Sequence, residues 1–312
     1  MYSCNDFFLM KDFPDFHKSY FDIAEYNKTF EKKNVIINAF SKDVSYTEHW
    51  GPLSIKCAIK GNEHYECNGR FYTVTENNYL IFNAGQYYSS YIHTNVETES
   101  FTVNFTKGLQ QRVLQSFQNK FDNSSRSNGF EFIEKLYAHN NLVSPLLLKL
   151  HKASAEKNPD VNLLAETYYW LLEKLFIQQR KLRREIQKID AVKYSTQLEL
   201  YKRLNFARDF IHSCYMNEIS LEKAASVACL NTAYFLREFK KYFGLTPYQY
   251  IIKQRLEAAR KMLETTCYSI TEICFTVGYH DTTSFAKLFK KNFHTTPEKY
   301  QSANMKKSFF AC

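Results

Sequence analysis

The sequence predicts an α+β chain of more than one domain: a β-rich N-terminal half that forms a barrel or sandwich, then helices ending in an all-α domain built on a duplicated helix–turn–helix unit. Three observations carry this. Short β-rich runs crowd residues 34–105. Helical periodicity replaces them after Phe105. The segment "LREFKKYFGLTPYQYI" at 236–251 returns as "AKLFKKNFHTTPEKYQ" at 286–301, with seven of sixteen positions identical at an offset of fifty. A chain of 312 residues, 45% hydrophobic and 23% charged, belongs to the globular class and has length for two cores.

The strands come first. "NVIINAF", "LSIKCAIKG" and "YLIFNAG" are β-rich runs separated by turn residues. "HYECNGRFYTV" places Asn68-Gly69 between two alternating runs, the signature of a type I′ hairpin. Beyond Phe105, "DNSSRSNG" at 122–129 is a polar loop, and "FEFIEKLYAHN" and "SPLLLKLHKAS" are short helix candidates. After Pro159, Leu164, Tyr168, Leu171, Leu172 and Leu175 recur at helical spacing, predicting one long amphipathic helix over 161–187. Its basic run Arg180-Lys181-Leu182-Arg183-Arg184 reads as a solvated helix end.

The C-terminal helices carry start signals. An amphipathic helix places Leu200, Leu204, Ala207 and Ile211 on one stripe. Ser220, Asn231 and Asp281 stand as N-caps, Ser269 with Glu272 forms a capping box, and Thr246-Pro247 and Thr296-Pro297 each open a helix. The domains are therefore expected at 1–110, 111–190 and 191–312.

Charge is unevenly placed. Residues 191–312 hold 18 Lys and Arg against 10 Asp and Glu, a net +8 of the chain's +9. A basic domain points to a polyanionic partner, while a solvated lysine-rich face is the plainer reading. No apolar run approaches the ~20 residues that span a bilayer, and the first residues lack the order of a signal peptide. Eight cysteines without a C-x-x-C pair read as reduced thiols of a cytoplasmic protein.

Each copy of the repeat is a helix, a tight turn and a second helix. In that second helix Phe235, Phe239 and Phe243 fall at i, i+4, i+8, and so do Phe285, Phe289 and Phe293. The outer face then shows Ala233, Leu236, Arg237, Lys240 and Lys241 in the first copy, and Thr282, Thr283, Ala286, Lys287 and Lys290 in the second. An apolar back with a small, polar, cationic front suits a helix that enters the DNA major groove. Arg237 could pair in bidentate fashion with guanine, and the lysines could neutralise phosphates.

Residues 197–302 resemble the DNA-binding domain of the AraC/XylS family of transcription regulators. The matching stretches are "SLEKAASVACLNTAYFLREFKKYFGLTPYQYIIKQRLEAARKML" and "SITEICFTVGYHDTTSFAKLFKKNFHTTPEKY". The resemblance implies two reading helices on successive major grooves, spaced by a linking helix at roughly 247–264. It implies that Ala233, Leu236 and Arg237, and Thr282, Thr283, Ala286 and Lys287, face the bases. Cys229 departs from the pattern: it stands where the first turn often has glycine, while Gly278 keeps it in the second. Leu236 offers no hydrogen bond, so it either touches a thymine methyl or packs. A helical bundle that binds protein instead is the bland alternative.

The stretch "CAIKGNEHYECNGRFYTVTENNYLIFNAGQYYSSY" resembles the small cupin-like β-barrel that precedes this domain in many family members. That resemblance implies a small-molecule effector in the barrel mouth, with Trp50, His64, Tyr65, Tyr88 and Tyr91, and also Phe71, as candidate lining. Cupin enzymes hold a metal through a His-x-His pair, a Glu and a later His. Here His64 stands alone, so no metal and no cofactor are expected, and His49 and His93 with it read as structural. The 161–187 helix resembles the family's dimerisation helix, though its stripe could equally be buried within one chain. The expected function is a cytoplasmic regulator, an activator in contact with RNA polymerase, bound to double-stranded DNA, a possible homodimer, with no membrane role and no enzymatic activity. The alternatives are a cupin-type metalloenzyme fused to a DNA-binding tail, and a regulator with no ligand.

Overall fold

The computed structural model describes residues 6–14, 23–121, 131–140, 142–187 and 194–309. They fall into two compact units, divided between Lys202 and Arg203. The polar segment 122–129 lies outside the described residues.

The first unit is built on eight strands: β1 (Phe7–Met10), β2 (Asn34–Trp50), β3 (Leu53–Lys60), β4 (Asn62–Cys67), β5 (Arg70–Thr75), β6 (Asn78–Phe82), β7 (Tyr87–Phe105) and β8 (Leu136–Ala138). Their order is β1-β2-β7-β3-β6-β8, with β4 joined to β7 and β5 joined to β4. β2 and β7 are long, and register shifts at Ser41/Asp43 and Tyr46/His49 bend their ladder. One half of β7 continues into β3 and the other into β4, so the sheet folds into two layers.

The ladder does not close. Among the described residues β5 bonds only β4 and β8 bonds only β6, so the expected barrel is an open, folded sheet. The reason lies in the turn at Thr75–Asn78, where Thr75 N–H donates to Asn78 Oδ1 at 3.2 Å. It delivers β6 to β3 while β5 stays on β4. The Asn68-Gly69 hairpin forms as expected, with φ of 52° and 70° at its two central residues.

Four helices accompany the sheet: α1 (Ile23–Lys32), α2 (Lys107–Phe121), α3 (Ser144–Ala155) and α4 (Val161–Gln187). Ile55, Cys57, Phe101, Val103 and Phe105 on one sheet face share a core with Leu147 and Leu150 of α3 and the α4 stripe. Leu164, Tyr168, Leu171, Leu172 and Leu175 are all buried there, so this stripe is consumed within one chain rather than offered to a second copy. The helix expected in "FEFIEKLYAHN" is replaced by β8. Leu136–Ala138 pair with Asn78–Leu80, satisfying the edge of β6.

The second unit is helical. α5 (Tyr194–Cys214) spans the division between units, and α6 (Leu221–Val227), α7 (Thr232–Phe243), α8 (Pro247–Thr265), α9 (Ile270–Thr276), α10 (Thr282–Phe293) and α11 (Pro297–Phe309) follow. Every expected start signal forms. Ser220 accepts from Lys223 N–H, Asn231 from Tyr234 N–H, and Asp281 from Thr283 and Ser284 N–H. Both Thr246 with Gln249 and Ser269 with Glu272 make capping boxes.

Candidate nucleic-acid interface

The duplication in sequence is a duplication in geometry. Rings Phe235–Phe239, Phe239–Phe243 and Phe239–Tyr250 lie 5.3, 4.6 and 6.0 Å apart. Their counterparts Phe285–Phe289, Phe289–Phe293 and Phe289–Tyr300 lie 5.8, 4.6 and 5.7 Å apart. Phe235, Phe239, Phe285 and Phe289 are fully buried. Each ring set therefore fixes its outer helix to its own small core, and removing one such ring costs about 3–5 kcal/mol. Leu256, Ala259 and Leu263 of α8 enter the second core.

The two turns also correspond. In the first, Cys229 N–H donates to Ser226 O at 2.9 Å and Leu230 N–H to Ala225 O at 3.1 Å. In the second, Gly278 N–H donates to Phe275 O and Tyr279 N–H to Cys274 O, both at 3.0 Å. Both are helix ends closed through a left-handed residue. Cys229 adopts φ of 50°, so the cysteine tolerates the glycine conformation at a cost of about 1–2 kcal/mol. Gly278 has φ of 92° and a second constraint: a Cβ there would lie 2.4 Å from Met216 O and 3.0 Å from Cζ of Arg255. The second turn is one residue longer, through His280 to the Asp281 cap.

Arg255 is a residue that sequence reasoning missed. It projects from α8, donates Nε–H to Tyr215 O at 2.7 Å and Nη2–H to Asn217 O at 2.9 Å, and lies 5.6 Å over the Tyr279 ring. The linking helix thus ties the chain after α5, on the side of the first copy, to the turn of the second. An arginine at a half-buried helix position carries no signal of this in sequence.

The outer faces are exposed. Ala233, Leu236, Arg237, Lys240 and Lys241 on α7, and Thr283, Lys287 and Lys290 on α10, are exposed, while Thr282 and Ala286 are half-buried. Arg237 and Lys287 occupy equivalent positions but differ in setting. Arg237 Nε–H donates to Glu238 Oε1 at 2.9 Å, and its guanidinium lies 4.9 Å from the Tyr234 ring. Among the described residues only Nε is used, so both terminal amino groups remain as a fork. Position 238 is Glu in the first copy and Leu288 in the second, and position 234 is Tyr where the second has Ser284. The second helix therefore has no equivalent clamp.

The first unit holds a cavity of about 340 Å³ between the two sheet layers, lined on one side by Phe30, Ile37, Trp50 and Tyr88. Of the expected lining, Trp50 and Tyr88 are present, joined by His49. Tyr65 is buried in the adjoining core beside Tyr88, at 5.9 Å. His64 and Tyr91 stack on each other at 4.8 Å away from the cavity, His64 bonding Thr73 Oγ1, and Phe71 is exposed. They are absent from the lining because alternate residues of β4, β5 and β7 face outward. His49 bonds Thr47 O, and His93 pairs with Asp43. Burial lowers the pKa of His49 and of His64. Among the described residues no group of three His, Cys, Asp or Glu side chains could hold a metal ion.

Residues 224–303 match the family model described as a helix-turn-helix domain. The HTH-type transcriptional activator RhaS of Enterobacter sp. (strain 638) is 34% identical over 95 residues, 30% of this chain and 34% of that protein. The HTH-type transcriptional regulator MtrA of Neisseria gonorrhoeae is 31% identical over 85 residues, 27% of this chain and 28% of that protein. Among solved structures, the DNA-binding domain of AdpA, the global transcriptional factor, in complex with a target DNA is 25% identical; it covers 32% of this chain and 91% of that one, with a TM-score of 0.32. The chain spans about a third of the length of the curated relatives it matches. Residues 224–303 are thus an AraC-type helix-turn-helix domain, similar over that region to the transcriptional regulators RhaS and MtrA.

Proposed function

We propose that this protein is a cytoplasmic, sequence-specific regulator of transcription, an activator whose α7 and α10 enter successive major grooves of one duplex. The observation that carries this is the pair of matching helix–turn–helix units, each backed by its own phenylalanine core and fronted by exposed lysines, in a part of the chain with net charge +8. The groove admits one α-helix. Arg237 is the candidate reader of guanine, and Lys240, Lys241, Lys287 and Lys290 are candidate phosphate contacts. Thr282, Thr283 and the small Ala233 and Ala286 leave room for base edges, and Leu236 would meet a thymine methyl. The cavity of the first unit is the candidate effector site, with a volume in the range of small-molecule pockets.

The test is the affinity of the full chain for duplex DNA as salt is raised. Phosphate neutralisation releases counterions, so affinity should fall at least ~10-fold between about 50 and 200 mM salt. A flat dependence would rule out the phosphate-based interface.

A further inference from the structure

The cavity has a polar floor that the sequence conceals. On β3 and β7, Lys56 stands directly opposite Thr102, and Ser54 opposite Asn104. These residues alternate with Ile55, Cys57, Phe101 and Val103, which face the helical core. Lys56, Glu63, Ser90, Thr102 and Asn104 all line the cavity while being more than nine-tenths buried.

Of the two buried charges, one is satisfied. Ser100 Oγ–H donates to Glu63 Oε2 at 2.6 Å, and the Tyr65 hydroxyl also bonds this carboxyl. Burial raises the Glu63 pKa, opposed by the Ser100 and Tyr65 hydroxyls and by the nearby Lys56 charge. Lys56 has no acceptor among the described residues. Its Nζ lies 5.0 Å from the Tyr88 ring and 5.8 Å from the Tyr65 ring, contacts that supply no lone pair for its N–H groups. An ammonium so placed lacks the acceptors that buried charge requires. His49 is held toward its neutral form by burial, and Glu48 is exposed at the rim. Lys56 thus faces the interior within electrostatic reach of Glu63, whose carboxyl is already engaged by the Ser100 and Tyr65 hydroxyls.

We propose that Lys56 is the anchor of a binding site for a small organic carboxylate with a flat apolar body, the carboxylate on Lys56 Nζ and the body against Trp50, Tyr88, Phe30 and Ile37. It rests on the reading of this cavity as an effector site. The chain has two tryptophans, Trp50 in the cavity lining and Trp170 exposed on α4. Trp170→Phe leaves Trp50 as the only indole and makes its fluorescence a local report.

The experiment titrates the full chain carrying Trp170→Phe with phenylacetate, phenylacetamide and phenethylamine, which share a ring and differ in charge. The expected result is that phenylacetate changes Trp50 emission with at least tenfold higher affinity than the other two. Lys56→Gln should lose that difference, Lys56→Arg should keep it, and unliganded Lys56→Met should melt no lower than the parent. Equal binding of the amide would overturn the anion site and leave the effector cavity standing. Binding of none of the three, or unchanged selectivity in Lys56→Gln, would overturn the proposal outright. Carboxylate binding that never alters DNA affinity would instead remove the effector role and leave the site.

Discussion

Replacing Gly278 by alanine would place a methyl 2.4 Å from the carbonyl oxygen of Met216, and this contact is difficult to relieve. The carbonyls on either side, Tyr215 and Asn217, are both held by the Arg255 guanidinium at 2.7 and 2.9 Å. Moving the Met216 turn away stretches bonds to a charged group, each worth about 1.5–3 kcal/mol. Holding a side chain at φ of 92° adds strain of about 1–3 kcal/mol. Partial loss of the two bonds together with the strain gives a destabilisation of about 3–5 kcal/mol. The matching change in the first turn has the opposite sign. Cys229 is exposed with φ of 50°, so Cys229→Gly relieves strain of about 1–2 kcal/mol, offset by roughly 0.5–1 from the freer unfolded chain. The assay is urea unfolding of the full chain, followed by far-ultraviolet ellipticity and by tryptophan fluorescence. Both tryptophans lie in the first unit, so fluorescence is the internal control. Gly278→Ala should lower the ellipticity transition and spare the fluorescence one. Two substitutions with equal effects, or a tolerated Gly278→Ala, would refute the close approach of Arg255 and Met216 to this turn.

Other consequences concern stability. The Tyr168 hydroxyl is buried without a hydrogen-bond partner among the described residues, its ring held edge-on by Phe7 and Phe105 at 5.2 and 5.4 Å. Tyr168→Phe should therefore stabilise the first unit by about 1 kcal/mol, read from the fluorescence transition, and a loss of that size would mean the hydroxyl has a partner. His212 is buried in the second unit, bonded to Gln254 at 3.0 Å, and burial lowers its pKa below the ordinary 6.5, against the opposing influence of Asp209 and that bond. The unfolded chain then takes up this proton more readily than the folded one, so its contribution is present above pH 6.5 and is lost as pH falls below it. The ellipticity transition should weaken below that pH, and His212→Gln should flatten the trend; an unchanged slope would assign it to other groups.

The helical unit was legible because its signals are local. Caps at Ser220, Asn231, Ser269 and Asp281 are read within three residues, and the phenylalanine stripes within eight. The sheet was legible as strands but not as a topology. Which of β3, β4 or β5 meets β6 is decided by pairing between distant residues, and that decision opened the expected barrel. β8 was misread as helix because three residues at a sheet edge override a weak helical pattern. Cavity residues were partly found. Aromatic type suggested Trp50 and Tyr88, but the alternation that turns His64 and Tyr91 away and Lys56 inward depends on which sheet face encloses the space. Lys56 also hides in a strand buried on both faces, where a charge would not be expected.

The clamp on Arg237 and its absence at Lys287 lead to the measurement that tests DNA reading most directly: selection of randomised duplexes by the full chain and by Arg237→Ala and Lys287→Ala. The predicted wild-type result is a bipartite site whose two blocks lie about 10–10.5 base pairs apart, one helical turn. One block should contain a guanine whose preference Arg237→Ala relaxes, at a cost of about 1–3 kcal/mol. Lys287→Ala should lower affinity evenly across sequences, as loss of a phosphate contact does. A single block, or a guanine preference that survives Arg237→Ala and vanishes in Lys287→Ala, would contradict the assignment of the two helices.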